Sequence, residues 1–366
     1  MVYLLGMRLR WVAGAVLIFV LIATGGPGFA APAPVSGSGS DGSEIMTDQW
    51  RADVATPQYG SLSVSYQGTG SPTGRQQYAS GTSDFAVSEQ PLSAAQAARR
   101  PAAYVPIVVG GLGFRYNLAV GGQRFTALKL RPSTLVKIFT GQITSWSDPQ
   151  IARDNGRSLP AVTITPVVRS DKSDETHRLT EWMDRIEPGL WRSYCGCTGP
   201  TSVYPKPSDG VSQQLSDGVA GYVAGPGGGS IGYVEPAFAK ERGFPVASLR
   251  NPAGQYVAPT PTAVAAALKR AAIGANGLVD VTATDASTNP NVYPILLVAY
   301  AVVPTTTSTS FDDTKGNTLR RFLTYGVCAG QIEASPLGYA PLSSSLVTTA
   351  LAQIAHIPGS ASASCS

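Results

Sequence analysis

The sequence predicts an α/β protein of two lobes joined by a two-stranded hinge. Runs of strand character alternate with helical ones along the whole chain, the pattern of lobes built on mostly parallel sheets. Taking an exported leader of 30 residues from the 366 leaves about 330, more than one core usually holds. Two strands far apart in the chain also look like crossings between lobes. The first is Val109-Gly110-Gly111-Leu112-Gly113-Phe114-Arg115-Tyr116-Asn117, where glycines interrupt a strand, and the second is the apolar run from Tyr293-Pro294-Ile295 to Val303-Pro304. Crossings near Gly113 and Ala299 assign residues 37–113 and 300–366 to lobe I and 114–299 to lobe II. A ligand would sit in the cleft between them, where pockets commonly form.

Residues 1–30 read as a secretory signal rather than part of the fold. Arg8 and Arg10 form a basic start, Trp11 to Ala23 is an apolar core of 13 residues, and Gly28-Phe29-Ala30 supplies small residues for cleavage after Ala30. A membrane span needs roughly 20 apolar residues, so this run is short for one. No cysteine follows the apolar core to carry a lipid anchor, and residues 31–36 read as a linker. Leu62 to Tyr66 alternates like a strand, and Asp84 to Val87 is a short apolar strand. Ala103 to Val109 suits a strand buried on both faces, with Pro106 demanding an edge or a bulge. Thr134 to Gly141 has Leu135, Ile138 and Phe139 at helical spacing and a glycine stop. Ala161 to Val168 reads as a further buried strand, followed by a helix from Asp174 to Met183.

Without the leader there are 25 basic and 23 acidic residues, a net charge of +2. Such a chain offers no basic patch for nucleic acid or anionic lipid. Four cysteines in an exported chain point to disulfides. A ring closed by Cys195 and Cys197 is expected to be strained, so Cys328 is expected to bond either to Cys365 or to one of that pair, with no free thiol left. His177 and His356 lie too far apart in sequence to suggest a metal site, and His177 reads as a helix-surface residue. Tyr222 with Tyr233, and Trp182 with Trp191, read as core pairs.

The most informative segment runs from Val167 to Trp182. It is a buried strand ending in Arg169, a polar turn, and the start of an amphipathic helix. A helix start offers unpaired N–H groups and partial positive charge, and arginine adds a planar, permanently charged fork. Together they make an anion seat. Asp174 and Glu175, however, stand where the anion would dock.

Several motifs in order resemble the extracytoplasmic phosphate-binding proteins of the high-affinity phosphate ABC transporter. They are Tyr66-Gln67-Gly68-Thr69-Gly70-Ser71, the run Asp84 to Ser93, Ile138 to Trp146, Arg169-Ser170-Asp171-Lys172-Ser173, Gly232-Tyr233-Val234-Glu235 and Tyr339-Ala340-Pro341-Leu342. The resemblance spans about Ser36 to Ala355 and implies a periplasmic-binding-protein (Venus-flytrap) fold. It implies phosphate held by Ser71, by Arg169 as charge partner and by Ser173 at the helix start, with Glu89 accepting the phosphate proton. Its partners would be phosphate or a related oxyanion and the membrane permease subunits. The protein would be a monomer without cofactor, metal or nucleic acid, exported to the periplasm, cell surface or medium.

The departures from the family lie in the site itself. Asp174 and Glu175 replace the usual Gly and Thr, and Asp41-Gly42 replaces a Thr and an aromatic residue. A carboxylate ~4 Å from phosphate costs about 4 kcal/mol at an effective dielectric near 20, or three decades of affinity. Three acids pointing inward would abolish binding. Asp41 has an innocent reading as the helix cap, paired with Glu44 in a capping box for a helix through Trp50. Asp174 and Glu175 could face solvent, block the site by pairing with Arg169, or signal a changed ligand. A flytrap protein that has lost phosphate transport and acts at the surface or as a sensor is therefore the alternative. A hydrolase reading rests on Gly228-Gly229-Ser230-Ile231-Gly232 alone, and that serine precedes strand-like residues where a nucleophile elbow needs a helix.

Overall fold

The computed structural model describes residues 32–365 except 226–227, 242 and 270. The expected signal, its cleavage site and the first linker residue lie outside the described residues. No helix among the described residues is long and apolar enough to cross a membrane. Strand β1 (Val35–Gly39) begins inside the segment expected as linker.

Two sheets organise the chain. In the first, β1, β2 (Val64–Gln67) and β3 (Phe85–Ser88) run parallel. The late strand β9 (Leu296–Pro304) lies antiparallel between β3 and β4 (Ala102–Gly111). All nine residues of β9 are buried, as expected of a strand covered on both faces. The two expectations for Pro106 are both met. Strand β4 is the sheet edge, and the ladder slips where Tyr300 pairs with Pro106 while Ala299 pairs with Val108, a bulge that accommodates the missing N–H.

The second sheet contains β5 (Gly113–Tyr116), β6 (Thr165–Arg169), β7 (Val211–Gln213) and β8 (Ser230–Val234), in the order β7-β6-β8-β5. The chain leaves the first sheet at Gly111 and enters the second at Gly113. It re-enters the first at Leu296, which pairs with Gly111. Tyr293 Oη donates to the Leu112 carbonyl at 2.6 Å, tying the two passages together.

Helices α1 (Glu44–Val54), α2 (Ser71–Ser80), α3 (Pro132–Phe139) and α4 (Asp174–Ile186) follow strands or loops that reach the centre of the molecule. Trp182 and Trp191 are buried as expected, and so is Tyr233. Tyr222 is 41% exposed, which corrects its assignment to the core. It lies on helix α6 (Leu215–Ala224), which buries Val219, Ala220 and Val223 instead.

The cysteines correct one expectation and bear out another. Cys328 bonds Cys365, whereas Cys195 bonds Cys197, the ring expected to be avoided. Helix α5 (Pro188–Cys195) ends at Gly196 with φ of 63°. That left-handed turn, open to glycine without a Cβ penalty, folds the chain back until the two Cα atoms are 5.2 Å apart. No free cysteine is present.

Candidate ligand-binding site

The site lies where the strand ends of both sheets converge. Arg169 closes β6 and is buried. Its five N–H donors are all engaged by the protein. Nε and Nη2 fork onto Asp171 at 2.9 and 2.5 Å. Nη2 also reaches Asp41 at 3.1 Å, and Nη1 reaches Ser216 Oγ at 3.2 Å and Glu175 at 3.4 Å. An anion can reach this guanidinium only by displacing one of them.

Asp41 comes from the loop after β1. The capping reading is overturned: Ser43 occupies the cap position without a side-chain capping bond. Asp41 instead crosses to the second sheet, accepting from Arg169 and from the Ser216 N–H at 2.6 Å. Glu44, the expected capping partner, accepts from the Gly68 N–H at 2.8 Å. The magnitudes favour this outcome. A capping bond is worth about 0.5–2 kcal/mol, while breaking a buried ion pair costs about 3–5 kcal/mol.

Asp174 and Glu175 open α4 and are buried, which excludes the solvent-facing reading. Asp174 pairs with Arg75, not with Arg169, and accepts from Ser88 Oγ at 3.0 Å and the Gln90 N–H at 3.1 Å. Glu175 Oε2 faces Arg169, and its Oε1 is buried without a hydrogen-bond partner. Ser173 is the helix cap: Oγ accepts from the Thr176 N–H and donates to Thr176 Oγ1, each at 2.9 Å. In this structure it therefore caps α4 rather than facing a ligand.

Ser71 starts α2 and donates to Glu89 at 2.5 Å; Ser40 donates to the other oxygen of Glu89 at 2.5 Å. Both carboxylate oxygens of Glu89 are thus already bonded. Glu235 directly follows strand β8 and is buried. A Cβ on Gly42 would lie 2.1 Å from its carboxylate, so a side chain there would require Glu235 to move.

Burial, reinforced by neighbouring acids, raises the proton affinity of Glu89, Glu175 and Glu235. Burial pushes Glu89 up to about 8, with the negative charges of Glu175 and Asp174 adding to it and the Ser40 and Ser71 hydroxyls opposing. Burial, then Asp41, pushes Glu175 up to about 7 against the pull of Arg169. Burial also drives Glu235 well above the carboxylate range, helped by Glu175, Asp41 and Glu89. For Arg169 burial disfavours the charge, but Asp41, Glu175 and Asp171 outweigh it and hold the group well above its usual range. The remaining void beside Glu89, Glu235 and Tyr339 is about 10 Å³, room for one water at most. A cavity of about 850 Å³ lies beside the Cys328–Cys365 bridge and touches none of these acids. Free volume does not mark the site, because the protein's own side chains fill it.

Arg75, Ser216 and Glu235 were not singled out as site residues. Arg75 lies four residues after Ser71 on α2, a spacing that puts both on one helix face, so a helical reading after Gly70 could have found it. Glu235 directly follows a buried strand, as Arg169 ends its own. Ser216 carries no comparable signal.

A family model described as a PBP superfamily domain matches residues 28–329. The phosphate-binding protein PstS of Pasteurella multocida is 32% identical over 327 residues, covering 87% of this chain and 89% of that one. The chain belongs to the phosphate-binding-protein family of the PBP superfamily. Phosphate-binding protein PstS 2 of Mycobacterium tuberculosis is 30% identical, covering 77% of this chain and 76% of that one. The fold matches a high affinity periplasmic phosphate-binding protein (PfluDING) bound with phosphate, with a TM-score of 0.66 at 20% identity, covering 87% and 93% of the two chains. The phosphate-binding-protein family has the two-lobed flytrap architecture and consists of substrate-binding proteins rather than enzymes. The hydrolase motif agrees: Ser230 opens strand β8 rather than a strand-to-helix elbow.

Proposed function

We propose that this protein is an exported solute-binding protein that takes an oxyanion, phosphate foremost, between its lobes and delivers it to the permease of an ABC transporter. Its family relatives bear the name of phosphate-binding proteins. The observation that carries the reading to this chain is Arg169, a buried guanidinium at a strand end before the start of α4, bonded to Glu175, whose charge in turn acts on Glu89, the partner of Ser71. Residues 37–113 with 300–366, and 114–299, would be the lobes that close on the ligand, and the working unit would be a monomer. Ser71 would donate to the anion, the helix start after Ser173 would supply N–H groups, and Glu89 would accept the phosphate proton.

The alternative of a flytrap protein with altered or lost phosphate binding is favoured by one observation. Asp41 and Glu175 hold Arg169 as an anion would. Calorimetric titration with phosphate and sulfate separates the two. Phosphate binding by the wild type supports uptake. Failure of both the wild type and the variant Asp174→Gly/Glu175→Thr to bind at millimolar phosphate rejects the phosphate assignment.

A further inference from the structure

The geometry points to a proton-dependent latch: without ligand the cleft is held shut by Asp41 and Asp174 standing in for the anion, and it opens as the buried carboxylates lose their protons. This inference rests on Arg169 being the anion seat proposed above.

The bonds that close the cleft join elements of different sheets. Asp41, after β1, bonds Arg169 of β6 and the Ser216 N–H of α6. Arg75 of α2 bonds Asp174 of α4, which also takes the Gln90 N–H and the Ser88 hydroxyl from beyond and within β3. A bound oxyanion would bridge the same two sides, so here the protein's carboxylates take over that task.

The cost of doing so lies in the charge count. Six carboxyl groups (Asp41, Glu89, Asp171, Asp174, Glu175 and Glu235) share this region with two guanidiniums, Arg75 and Arg169. Burying uncompensated charge is strongly unfavourable, and such groups take up protons instead. Glu175 Oε1, buried without a partner, is one place where a proton removes the mismatch. Ionisable groups from the other elements packed here do not supply the missing positive charge. Burial pushes the phenols of Tyr66 on β2 and Tyr233 on β8 upward, so they stay neutral. Tyr339 donates to the Gly42 carbonyl, and Glu44 of α1 adds a further acid, itself raised by burial.

The direction follows from linkage. Glu175 and Glu89 titrate near 4.5 when solvated, but near about 7 and about 8 in the closed cleft. The closed form therefore holds more protons between those limits, and its advantage falls as pH rises through them. The loss is complete about one unit above the higher of them, near pH 9. Each proton released on opening changes the closed-to-open ratio about tenfold per pH unit. Two such acids give up to about a hundredfold per unit between pH 5 and 7. Glu89 is largely but not fully buried and lines a cavity of about 180 Å³, which offers the proton a route.

Small-angle scattering on the ligand-free mature protein from pH 5 to pH 9 tests this without phosphate. The expected result is a radius of gyration that rises with pH and levels off towards about pH 9. The variant Glu89→Gln/Glu175→Gln/Glu235→Gln should stay compact throughout. If that variant does not fold, Glu175→Gln alone should open at higher pH and with a shallower slope. A radius independent of pH in the wild type overturns the latch, as does a variant that expands in step with it. A separate phosphate titration at one pH reports on the ligand reading, so the two can fail independently.

Discussion

Replacing Glu175 with threonine should tighten phosphate binding, and the structure sets how much. Glu175 Oε2 lies 3.4 Å from Arg169 Nη1, so an oxyanion on that nitrogen would sit ~4 Å from the carboxylate. Two charges at that distance repel by about 4 kcal/mol at an effective dielectric near 20. Near pH 7 the acid is protonated about half the time and phosphate can select that form, so the carboxylate costs only about twofold in affinity. At pH 9 about one molecule in a hundred is still protonated, so the gain should approach two decades. Asp174 should matter less, because Arg75 already neutralises it. Calorimetry at pH 7 and pH 9 on Glu175→Thr and Asp174→Gly, each with circular dichroism to confirm folding, reads these differences directly. Equal phosphate affinity in the wild type and folded Glu175→Thr at both pH values would refute the electrostatic reasoning.

Other outcomes follow from the same contacts. Arg169→Ala should weaken phosphate at least about tenfold by calorimetry, since a charged hydrogen bond contributes ~1.5–3 kcal/mol. Arg75→Ala leaves Asp174 buried without its cation and should cost about 3–5 kcal/mol in denaturant unfolding; an unchanged midpoint would show that the pair holds nothing together. Replacing Cys328 and Cys365, 37 residues apart, by alanine should cost about 4 kcal/mol, against about 1.5 kcal/mol for Cys195 and Cys197, two apart. Equal losses on unfolding would contradict that order. In Gly74→Ala the new Cβ would lie 2.4 Å from the Gly39 Cα, so α2 must shift. A stability loss of about 1–3 kcal/mol should be accompanied by weaker phosphate binding, because Ser71 and Arg75 ride on that helix.

Much of the fold was legible because its strands are continuous apolar runs bounded by glycine or proline, as in Ala102–Gly111 and Leu296–Pro304. The return to the first sheet was placed near Ala299 and begins at Leu296, since the apolar run extends past the crossing and conceals it. The capping box at Asp41 misled for a physical reason. The local motif is genuine in its spacing, but a buried guanidinium from 128 residues away outcompetes an N-cap. Nothing local announces that partner. Asp174 and Glu175 show the same limit: favourable in a first helical turn wherever their side chains point, they gave no sign of direction. The Cys195–Cys197 bridge was rejected because the left-handed turn at Gly196 was not anticipated. His177 is only partly a surface residue, being half-buried with Nδ1 unpartnered.

A crystal structure of the wild type grown in saturating phosphate tests the central claim most directly. The predicted result is a phosphate on Arg169, bonded to Ser71 and the first N–H groups of α4, with Glu175 and Asp41 turned off the guanidinium. A cleft in which Asp41 and Glu175 still hold Arg169, with no phosphate between the lobes, would contradict it.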